Sequence, residues 1–254
     1  MTPYARRGVH GQTVETLARR VLSGELPEGA TLDLVGLQAE LDVSLTTLRE
    51  SLKVLAAKGM VDARQKRGTF VRPRAHWNLL DADVLRWQFT DSKTAGTDDG
   101  LLHDLNEVRG VIEPAAARFA ALRRTDDDLA ALDAALEAMG TEGDAAHAVA
   151  ADLAFHRALL AATHNELLDR MEMVIESGLA HRDEIVHSSS LGEDPLPSHR
   201  AVVEAIRAGD PAGAEQAMRS LLDQALRDLG RVHGPPGRQP ATGVRTTAKD
   251  RKTS

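Results

Sequence analysis

The chain has no cysteine in 254 residues. Disulfides, thiolate metal sites and cysteine nucleophiles are therefore excluded. The same absence fits a cytoplasmic protein. Aromatic residues make up only 3% of the chain. With alanine and leucine abundant instead, the composition favours helix packing over sheets. No apolar run reaches the roughly 18 residues that a membrane-spanning helix requires, so no membrane partner is expected. The opening MTPYARRGVH lacks the apolar core of a signal peptide. No internal repeat is evident. The length suffices for two domains of ordinary size.

Positive charge is also short overall, with a net charge of −7. Its distribution is uneven. Residues 1–73 hold 11 Lys+Arg and 8 Asp+Glu, and residues 234–254 hold 5 and 1. Residues 74–233 hold 15 and 29. A basic end beside an acidic body is compatible with a phosphate-binding partner, because screening limits a charge's reach to about 8–10 Å.

The most informative stretch runs from Asp33 to Val71. Leu34, Leu37 and Leu41 share one face of a short helix. Asp42-Val43 makes a turn, and Ser44 is a good N-cap for a second helix over Leu45–Lys58. Leu48, Leu52 and Leu55 face inward, while Thr46, Thr47, Arg49 and Lys53 face out. Gly59 ends this helix. Two short strands follow, Met60–Arg64 and Thr69–Arg72, joined by Gln65-Lys66-Arg67-Gly68. A polar, cationic helix beside a cationic hairpin suits double-stranded DNA: the helix fits the major groove and the hairpin reaches phosphate or the minor groove. A small winged helix that binds protein is the alternative.

This stretch resembles the N-terminal domain of the GntR family of bacterial transcription regulators. The resemblance is carried by VSLTTLRESLKVLAAKGMV (Val43–Val61) and by the wing ending GTFV (Gly68–Val71). It implies DNA contacts from Ser44, Thr46, Thr47, Arg49, Lys53, Arg64, Lys66, Arg67 and Gly68. Two positions that usually carry Arg in the family hold Val35 and Leu45 here. Base readout is thus expected to rest on Thr46, Thr47 and Arg49, with Arg64, Lys66 and Arg67 attracting phosphate.

The remaining chain is read in order. Residues 1–10 form a loose arm, and Thr13–Ser23 a first helix with Val14, Leu17, Ala18 and Val21 inward. Residues 74–99 form a linker in which Trp77, Leu79, Leu80, Val84, Leu85, Trp87 and Phe89 pack, with Asp81–Phe89 as a short docking helix. Ser92–Gly100 is a flexible break. Helices are expected over Leu101–Leu122, Thr125–Met139, Asp144–Thr163, Asn165–His187, Ser198–Ala208 and Pro211–His233. Pro114 either kinks the first of these or splits it. Residues 234–254 have no apolar face and read as a disordered basic tail. The fold class is mainly α: an N-terminal winged helix-turn-helix (residues 1–73) and a C-terminal all-α bundle (residues 100–233).

Within that bundle, Asp152 and His156 stand one helical turn apart in DLAFH. A carboxylate and an imidazole so placed can hold one divalent ion, or simply bond to each other on the helix surface. His199 is a candidate third ligand.

The second half resembles the all-helical FCD domain that follows GntR winged helices in the FadR subfamily. The carrying segments are EVRGVIEPAAARFAA (Glu107–Ala121), DLAFHRALLAATHNELL (Asp152–Leu168) and SHRAVVEAIRAGDPAGAEQAMRSLL (Ser198–Leu222). Such domains commonly hold a metal with one Asp and three His. Asp152, His156 and His199 match three positions, and Leu221 stands at the fourth. The resemblance implies a divalent metal, zinc by default with nickel or manganese as options. The site is then three-liganded with water and effector, completed by another group, or lost. Arg109 matches an arginine that often faces the effector; an intrahelical pair with Glu113 is its bland alternative. Asn165 either bonds the effector or caps its helix. Among the other histidines, His181 and His187 are the ones to watch. WNLLDADVLRW (Trp77–Trp87) resembles a linker in regulators of sugar-acid catabolism, which favours a small carboxylate effector such as a sugar acid.

The resulting expectation is a homodimeric, ligand-responsive regulator, a repressor released from its operator by effector. Two other classes compete with it. Two His and one carboxylate also resemble the facial triad of iron oxygenases, but no strand pattern follows residue 72. An architectural DNA-binding protein without effector would need no buried polar cluster.

Overall fold

The computed structural model describes residues 8–90, 98–176, 179 and 194–233. The fold is mainly α, with one two-stranded sheet. The arm before Gly8, the basic tail, the 188–193 part of the loop, and His181 and His187 lie outside the described residues.

Three helices and a hairpin make the first half: α1 Val9–Leu22, α2 Leu34–Leu41, α3 Leu45–Ala57, β1 Val61–Arg64 and β2 Gly68–Val71. Helix α1 begins four residues before the expected Thr13. The Thr13 hydroxyl does not mark its start; it donates to the Val9 carbonyl at 2.7 Å, inside the helix. The Asp33 carboxylate accepts from the Val35 amide and caps α2. Asp42 closes α2 in the left-handed region, with φ 50°, a conformation that a short side chain with its own hydrogen-bonding oxygen tolerates. The Ser44 hydroxyl accepts from the Thr47 amide and opens α3. The strands pair antiparallel from Val61↔Val71 to Arg64↔Gly68, and Thr31 adds a single bridge to Phe70.

The core of this half gathers the residues that the periodicity selects. Val14, Leu17, Ala18, Val21, Leu37, Leu48, Leu52 and Leu55 are all buried, with Met60, Val61 and Val71 from the hairpin. Each fully buried leucine contributes about 1.5–3 kcal/mol relative to exposure.

The linker is structured. Arg74–His76 is one 3-10 turn, and α4 spans Ala82–Thr90. Trp77, Val84 and Trp87 enter the winged-helix core. On the same short helix, Leu85 and Phe89 join Leu102, Leu105 and Val174 in a separate cluster. The expected docking helix therefore touches both halves rather than one. Leu79 and Leu80 do not pack as expected; both are exposed.

Helix α5, Asp98–Arg123, is a single helix that runs through Pro114. Leu102 and Leu105 are buried before the proline and Ala116, Ala117, Ala120 and Ala121 after it. Packing on both sides thus outweighs the one backbone bond a proline removes. Helix α6, Asp126–Met139, carries a capping box between Thr125 and Asp128. Helix α7 is Ala145–Ala161 and α8 Glu166–Asp169. The single helix expected over Asn165–His187 is broken: residues 170–171 form a turn before helical residues 172–176. Helix α9, Leu196–Ala208, starts two residues before the expected Ser198, with a proline near its first turn. Helix α10 is Pro211–His233. Phe155, Leu159, Leu160, Val202, Val203, Ile206, Met218 and Leu221 meet in the bundle core.

Candidate functional sites

Two surfaces carry chemistry. The first lies on α3 and the hairpin. Thr46, Arg49, Lys53, Arg64, Lys66, Arg67 and Gly68 are all exposed, and Thr47 is half-buried. Several are already engaged. Ser44 Oγ holds the Thr47 amide at 3.0 Å and shares a hydrogen bond with Thr47 Oγ1 at 2.8 Å. Lys53 pairs with Glu50 at 2.7 Å. Arg64 lies 3.5 Å from Asp62. The Arg67 guanidinium stacks 3.7 Å from the Phe70 ring centroid and donates to the Gly29 carbonyl. Lys66 and Gly68 turn the hairpin with φ of 72° and 78°. Among the described residues, Thr46, Arg49 and Lys66 have no side-chain hydrogen bond or ion pair. Val35 is 77% exposed at the start of α2, so an apolar side chain stands on that face.

The second site is buried in the bundle. Helix α7 supplies Asp152 and His156 one turn apart, α9 supplies His199, and α5 supplies Arg109 and Glu113. All five are buried. One donor atom each from Asp152, His156 and His199 fall within 4.8 Å of one another.

Each imidazole has one nitrogen whose role its neighbour sets. His199 Nδ1 lies 2.7 Å from the Pro195 carbonyl, which only accepts, so the proton sits on Nδ1. Its Nε2 lies 3.0 Å from Asp152 Oδ1. His156 Nε2 meets Arg109 Nη2 at 3.2 Å. A guanidinium has no acceptor, so His156 Nε2 is unprotonated. His156 Nδ1 lies 3.0 Å from Glu113 Oε2, and Nε2 lies 3.7 Å from Asp152 Oδ2. Two imidazole nitrogens and a carboxylate thus converge in a buried space. Among the described residues neither His199 Nε2 nor His156 Nδ1 makes a hydrogen bond, despite their proximity to Asp152 and Glu113. Such an arrangement is repulsive unless a cation or a proton lies between the groups. The donor set, two imidazole nitrogens and one carboxylate oxygen, suits a borderline divalent ion.

Phe155 is packed edge-on against both rings, 5.2 Å from His156 and 4.6 Å from His199 between centroids, which limits their rotation.

Arg109 pairs with Glu113, as the bland alternative holds: Nε donates to Oε1 at 2.6 Å. The same guanidinium also reaches His156, so the intrahelical pair does not remove it from the site. Its Nη1 has no hydrogen-bond partner among the described residues. Burial alone would raise the Glu113 pKa; the Arg109 charge and His156 outweigh burial and bring it down to about 2.

Asn165 stands apart. It is exposed, and its Oδ1 accepts from the Leu167 and Leu168 amides at 3.0 and 3.3 Å, as a helix cap. Leu221 is buried among apolar core residues and offers no donor. His103, His147 and His164 make contacts elsewhere, to Glu107, the Ala138 carbonyl and Asp128. Sequence reasoning did not give Glu113 a place in the site. The available signal was an acidic residue on the alanine-rich inward face of α5, one turn from Arg109.

Comparison with known proteins agrees with both halves. The family described as "Bacterial regulatory proteins, gntR family" matches residues 10–71, and the FCD domain family matches residues 104–224. The chain is similar to the galactonate operon transcriptional repressor of Escherichia coli (strain K12), 33% identical over 223 residues, covering 85% of this chain and 94% of that protein. It is also similar to the HTH-type transcriptional regulator LutR of Bacillus subtilis (strain 168), 32% identical over 210 residues, covering 80% and 92%. Among solved structures, Listeria monocytogenes Lar superposes with a TM-score of 0.60 at 18% identity, covering 90% of this chain and all of that one.

Proposed function

Because the chain belongs to the gntR family of bacterial regulatory proteins and carries an FCD domain, we propose that it is a repressor of a sugar-acid or small-carboxylate catabolic operon. It is a transcription regulator and not an enzyme. In this reading residues 1–73 bind operator DNA, 74–99 link, 100–233 sense the effector, and 234–254 form a basic tail. It acts in the cytoplasm as a homodimer, whose paired winged helices read two half-sites. Among the described residues no helix is long and apolar enough to cross a membrane.

The observation that carries the sensor half is the buried cluster of Asp152, His156 and His199 with Arg109 beside it. With both imidazoles neutral, Arg109, Glu113 and Asp152 leave one negative charge in a buried space. Buried charge without compensation is costly. A divalent ion, zinc by default, on Asp152, His156 and His199 reverses that balance by two units. One carboxylate then restores neutrality. The ion would supply positive charge and open positions for carboxylate or hydroxyl oxygens. Arg109, with an unspent Nη1, would pair with the same carboxylate. A fatty acyl chain would have no use for such a set of groups. The galactonate repressor named among the relatives supports a sugar acid.

The signal passes through α4, which packs into the winged-helix core on one face and against Leu102, Leu105 and Val174 on the other. Effector favours one arrangement of the bundle, α4 moves with it, and the spacing of the two winged helices changes. This demands that effector bind one spacing better than the other.

Fluorescence anisotropy on DNA from upstream of the chain's own gene tests the reading. Sugar acids and other small carboxylates are added at fixed salt, with and without chelator. Release by one acid, abolished by chelator and in His156→Ala, is the expected outcome. Tight binding indifferent to every acid defeats the sensor half and leaves the DNA half standing.

A further inference from the structure

We propose that Glu113 is the positioning residue of this cluster: it sets the tautomer of His156 and holds Arg109 against the same ring, and so governs metal affinity. The inference rests on reading Asp152, His156 and His199 as metal ligands. Glu113 is fully buried, 0% exposed. Its Oε1 takes Arg109 Nε at 2.6 Å. Its Oε2 lies 3.0 Å from His156 Nδ1 and 3.4 Å from Arg109 Nη2. An unprotonated nitrogen cannot sit 3.0 Å from a buried carboxylate oxygen without repulsion, so the imidazole proton belongs on Nδ1. Arg109 reaches the same conclusion from the other side of the ring. Its Nη2 donates toward Nε2, which must therefore carry a lone pair. Both neighbours favour one tautomer; Glu113 accepts from the arginine and stands against the ring nitrogen, although Nδ1 makes no hydrogen bond to it in this geometry.

The consequence follows from ligand chemistry. Only an unprotonated Nε2 can ligate, and a carboxylate on the opposite nitrogen raises its basicity and fixes the ring. Glutamine at position 113 removes the charge. Its amide cannot serve Arg109 and Nδ1 as acceptor on both atoms. The Nε2–H tautomer then gains population at the expense of the ligating form.

The test uses the full-length protein, Glu113→Gln and Glu113→Asp. The aspartate variant keeps the charge but loses the reach, and it replaces Gln if that variant does not fold. The first readout is the tautomer itself, by NMR of 15N-labelled imidazoles in metal-free protein. Wild type is expected to show His156 protonated on Nδ1 and both variants to show the proton shifted toward Nε2. The second readout is Zn2+ affinity by competition with a chromophoric chelator, with the fraction folded fixed by a melting curve. A loss of about 10–100-fold in the variants is expected. Unchanged tautomer and unchanged Zn2+ affinity in folded variants overturn the proposal. No Zn2+ binding by wild type overturns the metal reading instead, and the tautomer measurement still decides the role of Glu113.

Discussion

Gly59 is the tightest point between α3 and the linker. Its φ is +76°, and a Cβ placed there would lie 2.3 Å from the His76 carbonyl oxygen. The left-handed conformation alone costs a side-chain-bearing residue about 1–3 kcal/mol. The carbonyl is backbone and cannot swing aside. Gly59→Ala is therefore expected to cost at least about 2 kcal/mol, seen as a lower melting temperature and loss of operator binding. A melting curve within a degree of wild type would show that the 76–77 backbone yields easily. Beside it, the Lys58 ammonium donates to Asp81 at 2.6 Å and Asp83 at 2.9 Å, and Arg86 adds a second bond to Asp83. Burial pushes the Asp83 pKa up, but Lys58 and Arg86 outweigh it and hold it below the ordinary aspartate value. A depressed folded pKa means that Asp83 stabilises the fold fully above its unfolded value, about 3.9. That contribution drains away as pH falls toward the folded value. Asp83→Asn should cost about 1–3 kcal/mol at neutral pH. Its melting temperature should also fall less than that of wild type between about pH 5 and pH 3. Parallel pH curves for the two proteins would refute the assignment.

At the scale of elements, α4 packs against both halves. Val84 and Trp87 face the winged-helix core, and Leu85 and Phe89 face Leu102, Leu105 and Val174. The two faces can be cut separately. Trp87→Ala opens a cavity in the first core and should cost about 3–5 kcal/mol, with DNA binding lost alongside stability. Phe89→Ala cuts the other face. Operator affinity without effector is expected to survive, while the effector concentration needed for release rises. If Phe89→Ala responds to effector as wild type does, the route through α4 is wrong. The sequence shows that a short apolar helix lies here, because the spacing of Val84, Leu85, Trp87 and Phe89 is helical. It does not show that the helix divides its side chains between two cores, since that depends on which surfaces close around it. The same limit explains other differences. Leu48, Leu52 and Leu55 sit where their period puts them, because one face of α3 is enough to define that core. Pro114 reads as a break, yet α5 continues, because burial before and after it is a tertiary effect. Asp152, His156 and His199 are recognisable by spacing and resemblance. Glu113 is not, because an i,i+4 pair with Arg109 looks like any surface ion pair until both prove to be buried.

For the whole molecule, charge is the organising quantity. The acidic excess lies in residues 74–233, and the exposed face of α3 and the hairpin tip carry Arg49, Lys53, Arg64, Lys66 and Arg67. An acidic body discourages non-specific wrapping of DNA and leaves attraction to a small patch. Within that patch the structure separates spent cations from free ones. Arg67 is stacked on Phe70 and bonded to Gly29, Arg64 lies near Asp62, and Lys53 is held by Glu50. Arg49 and Lys66 have no such partner among the described residues, so they are the cations proposed to meet phosphate or base edges without first losing an interaction. Each phosphate contact steepens the dependence of log affinity on log salt by about 0.9. Lys66→Ala should therefore weaken operator and random DNA alike and flatten the salt slope by about 1 per protomer. Arg49→Ala should weaken operator more than random DNA, because α3 is the element that enters the major groove. Val35 and Leu45 strengthen the contrast. With apolar side chains there, the proposed base readout is expected to fall on Thr46, Thr47 and Arg49. Anisotropy titrations of both variants over a range of salt separate the two roles. Equal losses on operator and random DNA for Arg49→Ala would move base readout away from α3 and onto the wing.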